Sequence, residues 1–264
     1  MTLREGDMAP TLRQQQILAA LEMRGQAAIV ELADLFDVSD ETIRRDVKAL
    51  SAEGIVEKFH GGVRLPLPRT EPSFDRRLRE APVAKTAIAA RAAKFIREGA
   101  TVLLDNSTTA CFLARELVNR ESMTIVTISL EIAQILSSNS RHRIILPGGE
   151  LRCHDRTLTG RGVIEFMTQF TPSYFVTSMV AGSDRGCQDF DLFEAEFKRA
   201  MIPLADQTMV LMDSSKFGKS GLIHVCDWSS VDVLVTDGAP GNVLSQIDHG
   251  HLLLVEPLSE KGAA

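Results

Sequence analysis

Four polar clusters beyond residue 100 carry residue types that could do chemistry. In LLDNSTTA, Asp105 stands at the end of an apolar run, and Ser107, Thr108 and Thr109 open the next segment. Hydroxyls at a helix start, beside backbone N–H groups that lack an intrahelical acceptor, suit a phosphate. Ser and Thr are equally ordinary helix caps. ILPGGEL adds Gly148 and Gly149, which would let a ligand approach the backbone closely. DFDLFEAEFKRAM sets Glu194 and Lys198 four apart, either as site residues or as a surface ion pair of a few tenths of a kcal/mol. DSSKFG places Asp213 and Lys216 after a further apolar run. These clusters fall at the ends of successive predicted strands, and the carboxyl edge of a parallel sheet is where ligands bind.

The elements that must position them emerge from an alternating pattern. A helix is predicted over 83–97, a strand over 101–106, a helix over 108–119, a strand over 123–129 and a helix over 130–137. Further strands are read in RIILPGG, YFVTSMV, TMVLMD, DVLVTD and HLLLVE. Nearly continuous apolar strands alternating with helices predict an α/β domain with a mainly parallel sheet covered on both faces.

The first 65 residues read differently. Helices are predicted over 11–24, 29–36 and from Ser39 to about Gly54, with Asp37-Val38 as the turn and Ser39 as N-cap. Ile43, Val47 and Leu50 share an inner face, so Thr42, Arg44, Arg45 and Lys48 project outward. A hairpin is predicted next, around His60-Gly61-Gly62. Three short helices and a hairpin make a winged helix-turn-helix, whose last helix enters the major groove of duplex DNA. Arginine can address guanine bidentately, and threonine or lysine can hold phosphates or base edges. Ser39 at the helix start, and Lys58 and His60 around the wing turn, complete the candidate DNA contacts. Alternatively, Arg44, Arg45 and Lys48 merely solvate a helix face and pair with Glu41 or Asp46.

Composition neither helps nor forbids this. The net charge is −6, and residues 1–65 hold eight Lys/Arg against eleven Asp/Glu, so attraction to phosphate must be local to one face. Four dispersed cysteines, with no CxxC pair, fit reduced thiols in a cytoplasm. The N-terminus has no secretory pattern and no apolar run reaches the roughly 18 residues of a membrane span. Cys153-His154-Asp155 and His249-x-His251 fall short of a ligand set, so neither metal nor cofactor is expected. Trp228 and Tyr174 are read as packing residues, and Ser214 and Ser215 as turn residues. Pro66, Pro68, Pro72 and Pro82 frame an arginine-rich stretch read as a linker. The expected division is 1–65 winged helix-turn-helix, 66–82 linker and 83–264 α/β effector-sensing domain.

The string VSDETIRRDVKALSAEGIVEKFHGGV resembles the DNA-binding segment of the DeoR family of bacterial regulators, with its S-x-x-T-I-R-R-D-L helix and wing ending H-G-G. The C-terminal clusters resemble that family's D-x-S-T-T, G-G, E-x-x-x-K and D-x-S-K-F-G elements, on a domain similar to phosphosugar isomerases. The resemblance runs from Thr11 to Gly238. RIILPGGELRCHD with DFDLFEAEFKRA looks most like the branch of glycerol-3-phosphate regulon repressors. Ser178 to Asp184 departs from that branch's G-x-S-G-I-D, so Met179 and Val180 would reshape the pocket.

The resemblance implies Thr42, Arg44 and Arg45 as base and phosphate contacts. It implies that Asp105, Ser107, Thr108 and Thr109 hold an effector's phosphate or hydroxyls, with Gly148 and Gly149 as the opposite wall. Lys198, Lys216 and Lys85 would supply positive charge, Glu194 would accept from polyol hydroxyls, and Asp213 would orient Lys216. The expected protein is a cytoplasmic, homo-oligomeric repressor of a carbohydrate or polyol operon. Its partners would be double-stranded operator DNA and a phosphorylated sugar or polyol such as glycerol 3-phosphate, with no membrane and no catalysis. By the family's habit the effector would release DNA, acting through residues 63–82. The alternatives are a sugar-phosphate isomerase using Asp105 and Glu194 as acid and base, and a DNA-binding protein without a ligand.

Overall fold

A computed structural model describes residues 11–52, 55–59, 61–64, 71–247 and 252–254. The chain divides into two compact units, Met1–Pro68 and Arg69–Ala264.

The first unit begins with α1 (Leu12–Arg24), closed at its start by a reciprocal cap: Thr11 Oγ1 accepts from Gln14 N–H, and Gln14 Oε1 accepts from Thr11 N–H. β1 (Gln26–Ala28), α2 (Ile29–Phe36), α3 (Asp40–Ala52), β2 (Glu57–Phe59) and β3 (Gly62–Arg64) come after it. Asp37 ends α2 in the left-handed region (φ 51°), which aspartate tolerates better than most residues. Ser39 Oγ then accepts from Thr42 N–H at the start of α3. Ile17 and Leu21 of α1, Ile29 and Leu32 of α2, and Ile43, Val47 and Leu50 of α3 close one core with Val56 and Val63. The three strands form one antiparallel sheet in the order β1-β3-β2. Its first strand is absent from the sequence-based expectation, because three residues show no period.

The second unit contains α4 (Phe74–Arg79), α5 (Pro82–Phe95), β4 (Thr101–Leu104), α6 (Thr108–Leu117), β5 (Thr124–Thr127), α7 (Leu130–Leu136), β6 (Arg143–Ile145), β7 (Glu150–Arg152), β8 (Thr157–Thr159) and α8 (Arg161–Met167). It continues with β9 (Tyr174–Thr177), β10 (Ala181–Ser183), β11 (Gly186–Asp189), α9 (Leu192–Met201), β12 (Gln207–Leu211), β13 (Ile223–Cys226), β14 (Val233–Thr236), α10 (Gly241–Leu244) and β15 (Leu252–Leu254). Seven strands form one parallel sheet in the order β15-β14-β12-β9-β4-β5-β6.

Successive strand residues feed opposite faces. Val102 and Leu104 pack with Ile88 of α5 and Leu113 of α6, whereas Leu103 packs with Phe197 of α9 and Val163 of α8. Helices therefore cover both faces, as the continuous apolar strands predict. Two antiparallel additions go beyond that prediction: the β7–β8 hairpin and the β10-β11-β13 sheet. The stretch read as linker also holds more structure than its prolines suggest. Within it, α4 buries Phe74 in the same core as Ile88. Trp228 and Tyr174 are buried in apolar clusters. The Trp228 indole N–H donates to Ser183 O at 2.7 Å.

Candidate functional site

On the first unit, Arg44, Arg45 and Lys48 are exposed on α3 because Ile43, Val47 and Leu50 take the inner face. Asp46 is not their counter-ion. It is buried and pairs with Arg13 of α1 at 2.5 Å. Among the described residues none of the three cations has an ion-pair partner. Together with Lys58, Phe59, Gly61 and Gly62 of the wing they line a groove of about 400 Å³. Ser39 Oγ and Thr42 Oγ1 lie 2.9 Å apart, so these hydroxyls brace the start of α3 and share its exposed end. His60 lies outside the described residues.

On the second unit the sheet order marks one crevice at the carboxyl edge. The chain leaves β4 for β5 and β6 on one side, and then builds β9, β12, β14 and β15 on the other. The carboxyl ends of β4 and β9 therefore flank the switch point of the sheet, the usual ligand crevice. Leu104 pairs with Val176, so Asp105 and Thr177 emerge side by side, with Ser178 next in the chain. Asp105 is fully buried. Its Oδ2 accepts from Thr177 Oγ1 at 2.6 Å and from Ser178 N–H at 3.1 Å, and its Oδ1 from Ser107 N–H at 2.9 Å. Ser107 caps α6 by accepting from Ala110 N–H. Thr108 Oγ1 accepts from the buried Lys85 Nζ at 3.1 Å.

Glu194 and Lys198 are not a surface pair. Both are buried, and Lys198 Nζ lies 2.5 Å from Asp189 Oδ2, 3.7 Å from Glu194 Oε2 and 4.0 Å from Asp105 Oδ2. Burial opposes the Lys198 charge, but Asp189, Glu194 and Asp105 outweigh it and hold the ammonium well above its ordinary range. Burial pushes the Glu194 carboxyl up, and Lys198, Asn106 and Arg152 more than offset this, leaving it below its usual value. Asp189 is raised, chiefly by burial. Lys85 is depressed to about 8, by burial and then by Lys216.

Ser107, Thr108, Thr109, Glu194, Lys198 and Lys216 line one small cavity of about 10 Å³, with Ser178, Met179 and Val180 as a further wall. Lys85 and Asp105 stand just behind it through Thr108 and Ser178. Met179 and Val180, where the sequence departs from the G-x-S-G-I-D pattern, thus line this cavity. Gly148 and Gly149 do not line this cavity. They come after β6, the edge strand of the sheet, and Gly149 packs against Val163 and Thr159 instead.

The hairpin those glycines lead into delivers Arg152, which sequence reasoning missed. Its guanidinium bridges Asp155 (2.6 Å), Glu194 (2.6 Å) and Asp191 (3.0 Å). Asn106, also missed, donates to Glu194 Oε1 at 3.0 Å and Thr157 Oγ1 at 2.9 Å. The two stand inside GGELRCHD and LLDNSTTA, but nothing local marks either of them. Asp213 caps its own turn by accepting from Ser215, and its charge lies close to Lys216. Among the described residues no group of three potential ligands could hold a metal ion, and Asp155 is taken by Arg152. His249 and His251 lie outside the described residues.

A winged helix with an exposed basic face, joined in one chain to an α/β unit with a polar site at its switch point, defines a ligand-responsive helix-turn-helix regulator. Residues 13–68 match the DeoR-like helix-turn-helix domain, and residues 80–238 the DeoR C terminal sensor domain. The chain belongs to the DeoR family. It is 33% identical to the HTH-type transcriptional repressor CsqR of Escherichia coli (strain K12), over 93% of this chain and 95% of that one. It is 32% identical to the glycerol-3-phosphate regulon repressor of the same organism, over 94% and 99%. The uncharacterized HTH-type transcriptional regulator YulB of Bacillus subtilis (strain 168) is 32% identical over 95% and 98%. Among solved structures, ribose 5-phosphate isomerase A of Methanocaldococcus jannaschii aligns with a TM-score of 0.37 at 14% identity, over 51% of this chain and 54% of that one. No helix among the described residues is long and apolar enough to cross a membrane.

Proposed function

We propose that this protein is a cytoplasmic, homo-oligomeric transcriptional repressor that binds operator DNA through α3 and the wing. On this reading a phosphorylated sugar or polyol at the carboxyl ends of β4 and β9 releases it. The observation that carries the reading is the meeting of Thr108, Lys85, Lys198 and Lys216 at the start of α6, where helix N–H groups and cations together favour an anion. The names of the two Escherichia coli relatives support repression, and one of them supports a polyol phosphate. Residues 1–65 act as the reader, 66–82 as the connection and 83–264 as the sensor.

The isomerase reading fares poorly on the same geometry. General-base catalysis needs a carboxylate free to take a proton near operating pH. Both Asp105 oxygens already accept from three donors, and Glu194 is held below its usual range between Lys198 and Arg152.

Two measurements test the proposal. Duplex operator DNA should bind with affinity falling steeply with salt. Arg44→Ala and Arg45→Ala should each weaken binding and lower the salt slope by about 1 if they hold phosphates. Thermal unfolding against phosphorylated sugars and polyols should show a hit, worth about 2.7 kcal/mol at a hundredfold excess over Kd. Thr108→Ala should abolish it. Silence from every phosphorylated compound would refute the effector assignment.

A further inference from the structure

The cavity at the start of α6, at about 10 Å³, has room for about one water. A phosphate cannot enter until something leaves. The candidate is Glu71, a residue that no motif or spacing in the sequence singles out. Glu71 lines this cavity together with Arg77, and its carboxylate lies 2.9 Å from the Arg77 guanidinium. It is also the carboxylate that does most to oppose the loss of charge on Lys216. Behind it lies a second, open cavity of about 290 Å³, walled by Phe74, Arg152, His154, Asp155 and Phe190. Glu71, Arg77 and Glu194 line both cavities. Withdrawal of Glu71 would join the closed space to the open one.

Glu71 is also the carboxylate of this group that is easiest to dislodge. Lys198 clamps Asp189, and Arg152, Lys198 and Asn106 hold Glu194. Glu71 has Arg77 and Lys216, but it faces Glu194 and Asp189 as like charges. Burial, together with those two, pushes it up to about 7 in spite of its cations. Its place in the chain matters as much. It stands three residues beyond Pro68, where the first unit ends.

We propose that the Glu71 carboxylate is a built-in occupant of the anion site beside Arg77 and Lys216, and that an anionic effector binds by displacing it. Glu71 lies close in sequence to the DNA-binding unit, and through that place the same carboxylate couples ligand to DNA. This rests on the effector site proposed above and adds the group with which the effector competes. An occupied site lowers apparent affinity by the fraction of molecules in which it is free, and removing the occupant restores that affinity.

The test uses the full-length protein with inorganic phosphate and glycerol 3-phosphate as probes, titrated calorimetrically. Glu71→Gln keeps the shape and removes the charge. It should bind both anions more tightly, on the order of tenfold, and bind operator DNA more weakly than wild type with no ligand present. A second measurement needs only folded protein. Sulfate, whose charge is constant between pH 6 and 8, should bind wild type more tightly at pH 6, as Glu71 takes up a proton. Arg77, Lys216, Glu194 and Asp189 surround Glu71, Lys198 lies within the same cluster, and His154 lines the outer cavity. The readout is therefore the difference between wild type and Glu71→Gln, which share every other titratable group. If Thr108→Ala abolishes anion binding while Glu71→Gln stays within twofold of wild type, the site stands and the Glu71 proposal is overturned. If binding ignores Thr108→Ala, or no anion binds either protein, the effector site itself fails and this proposal with it.

Discussion

Replacing Lys198 by methionine removes one charge from the most enclosed part of the sensor and keeps the volume. Its ammonium lies 2.5 Å from Asp189, which has no exposed surface, and within 4.0 Å of the equally buried Asp105. Asp105 retains its three donors and Glu194 retains Arg152, so the damage falls on Asp189. Stripping one partner from a buried pair costs about 3–5 kcal/mol, because the remaining charge is uncompensated. For a unit of this size each kcal/mol lowers Tm by roughly 2–4 °C, which gives a loss of roughly 6–20 °C.

The pH dependence separates this from a packing defect. Without Lys198, the Asp189 carboxyl, already raised by burial, rises further above its unfolded value of 3.8. Between those two values the folded state holds the extra proton, so stability falls as pH rises. The penalty of Lys198→Met should be small near pH 5 and complete at pH 8, where the wild-type lysine is fully charged in both states. Calorimetric unfolding at the two pH values reads it. Adding Asp189→Asn should recover part of the loss, as contacting residues couple by about 0.5–3 kcal/mol. A loss below about 1 kcal/mol, equal at both pH values, would mean that Lys198 and its carboxylates behave as a solvated surface pair.

Two further perturbations test the geometry. Gly62→Ala would drive a methyl into the Phe59 ring and to 2.8 Å from the Ala27 carbonyl oxygen; the ring can swing, but the carbonyl belongs to the adjacent strand. The wing should distort at a cost of about 1–3 kcal/mol, and fluorescence anisotropy should show weaker DNA binding with the sensor's ligand response intact. Lys85, held at about 8 against 10.5 when unfolded, binds fewer protons in the folded state between those values, so stability should rise with pH across that window. Lys85→Met should flatten that rise in thermal melts at pH 8 and pH 10, and an unchanged slope would remove Lys85 as its source.

The features legible in the chain itself are those that are local and periodic. The inner face of α3 is set by three apolar residues within eight positions, so the outward placement of Arg44, Arg45 and Lys48 can be read from spacing alone. The parallel sheet is legible because strands buried on both faces read as apolar runs. The misreadings come from pairings across the fold. Glu194 and Lys198 look like an exposed i,i+4 pair until β11 brings Asp189 against them. Gly148 and Gly149 have the backbone freedom of a ligand turn, but the edge position of β6 leads them away from the switch point. Strands of three residues, such as β7 and β8, carry too few positions to show a period, so Arg152 and its bridge to Glu194 are invisible in the sequence. Glu71 lies in a proline-framed stretch whose composition says only linker.

The charge balance of the sensor site bears on which ligands it would admit. Arg77, Lys85, Lys198 and Lys216 stand among Glu71, Asp105, Asp189 and Glu194, so the resting cluster is nearly neutral and mostly buried. A phosphate monoester carries close to two negative charges at neutral pH. Adding it to a balanced, enclosed cluster would leave uncompensated charge at a cost of several kcal/mol. Departure of Glu71 removes one negative charge and frees Arg77 and Lys216, and the start of α6 supplies further positive potential. An uncharged polyol offers nothing that Arg77 and Lys216 would take in exchange for a carboxylate, so Glu71 would stay and the cavity would remain closed. On the proposed reading, the residue that links the sensor to the DNA-binding unit is also the one that distinguishes a phosphorylated metabolite from its unphosphorylated parent.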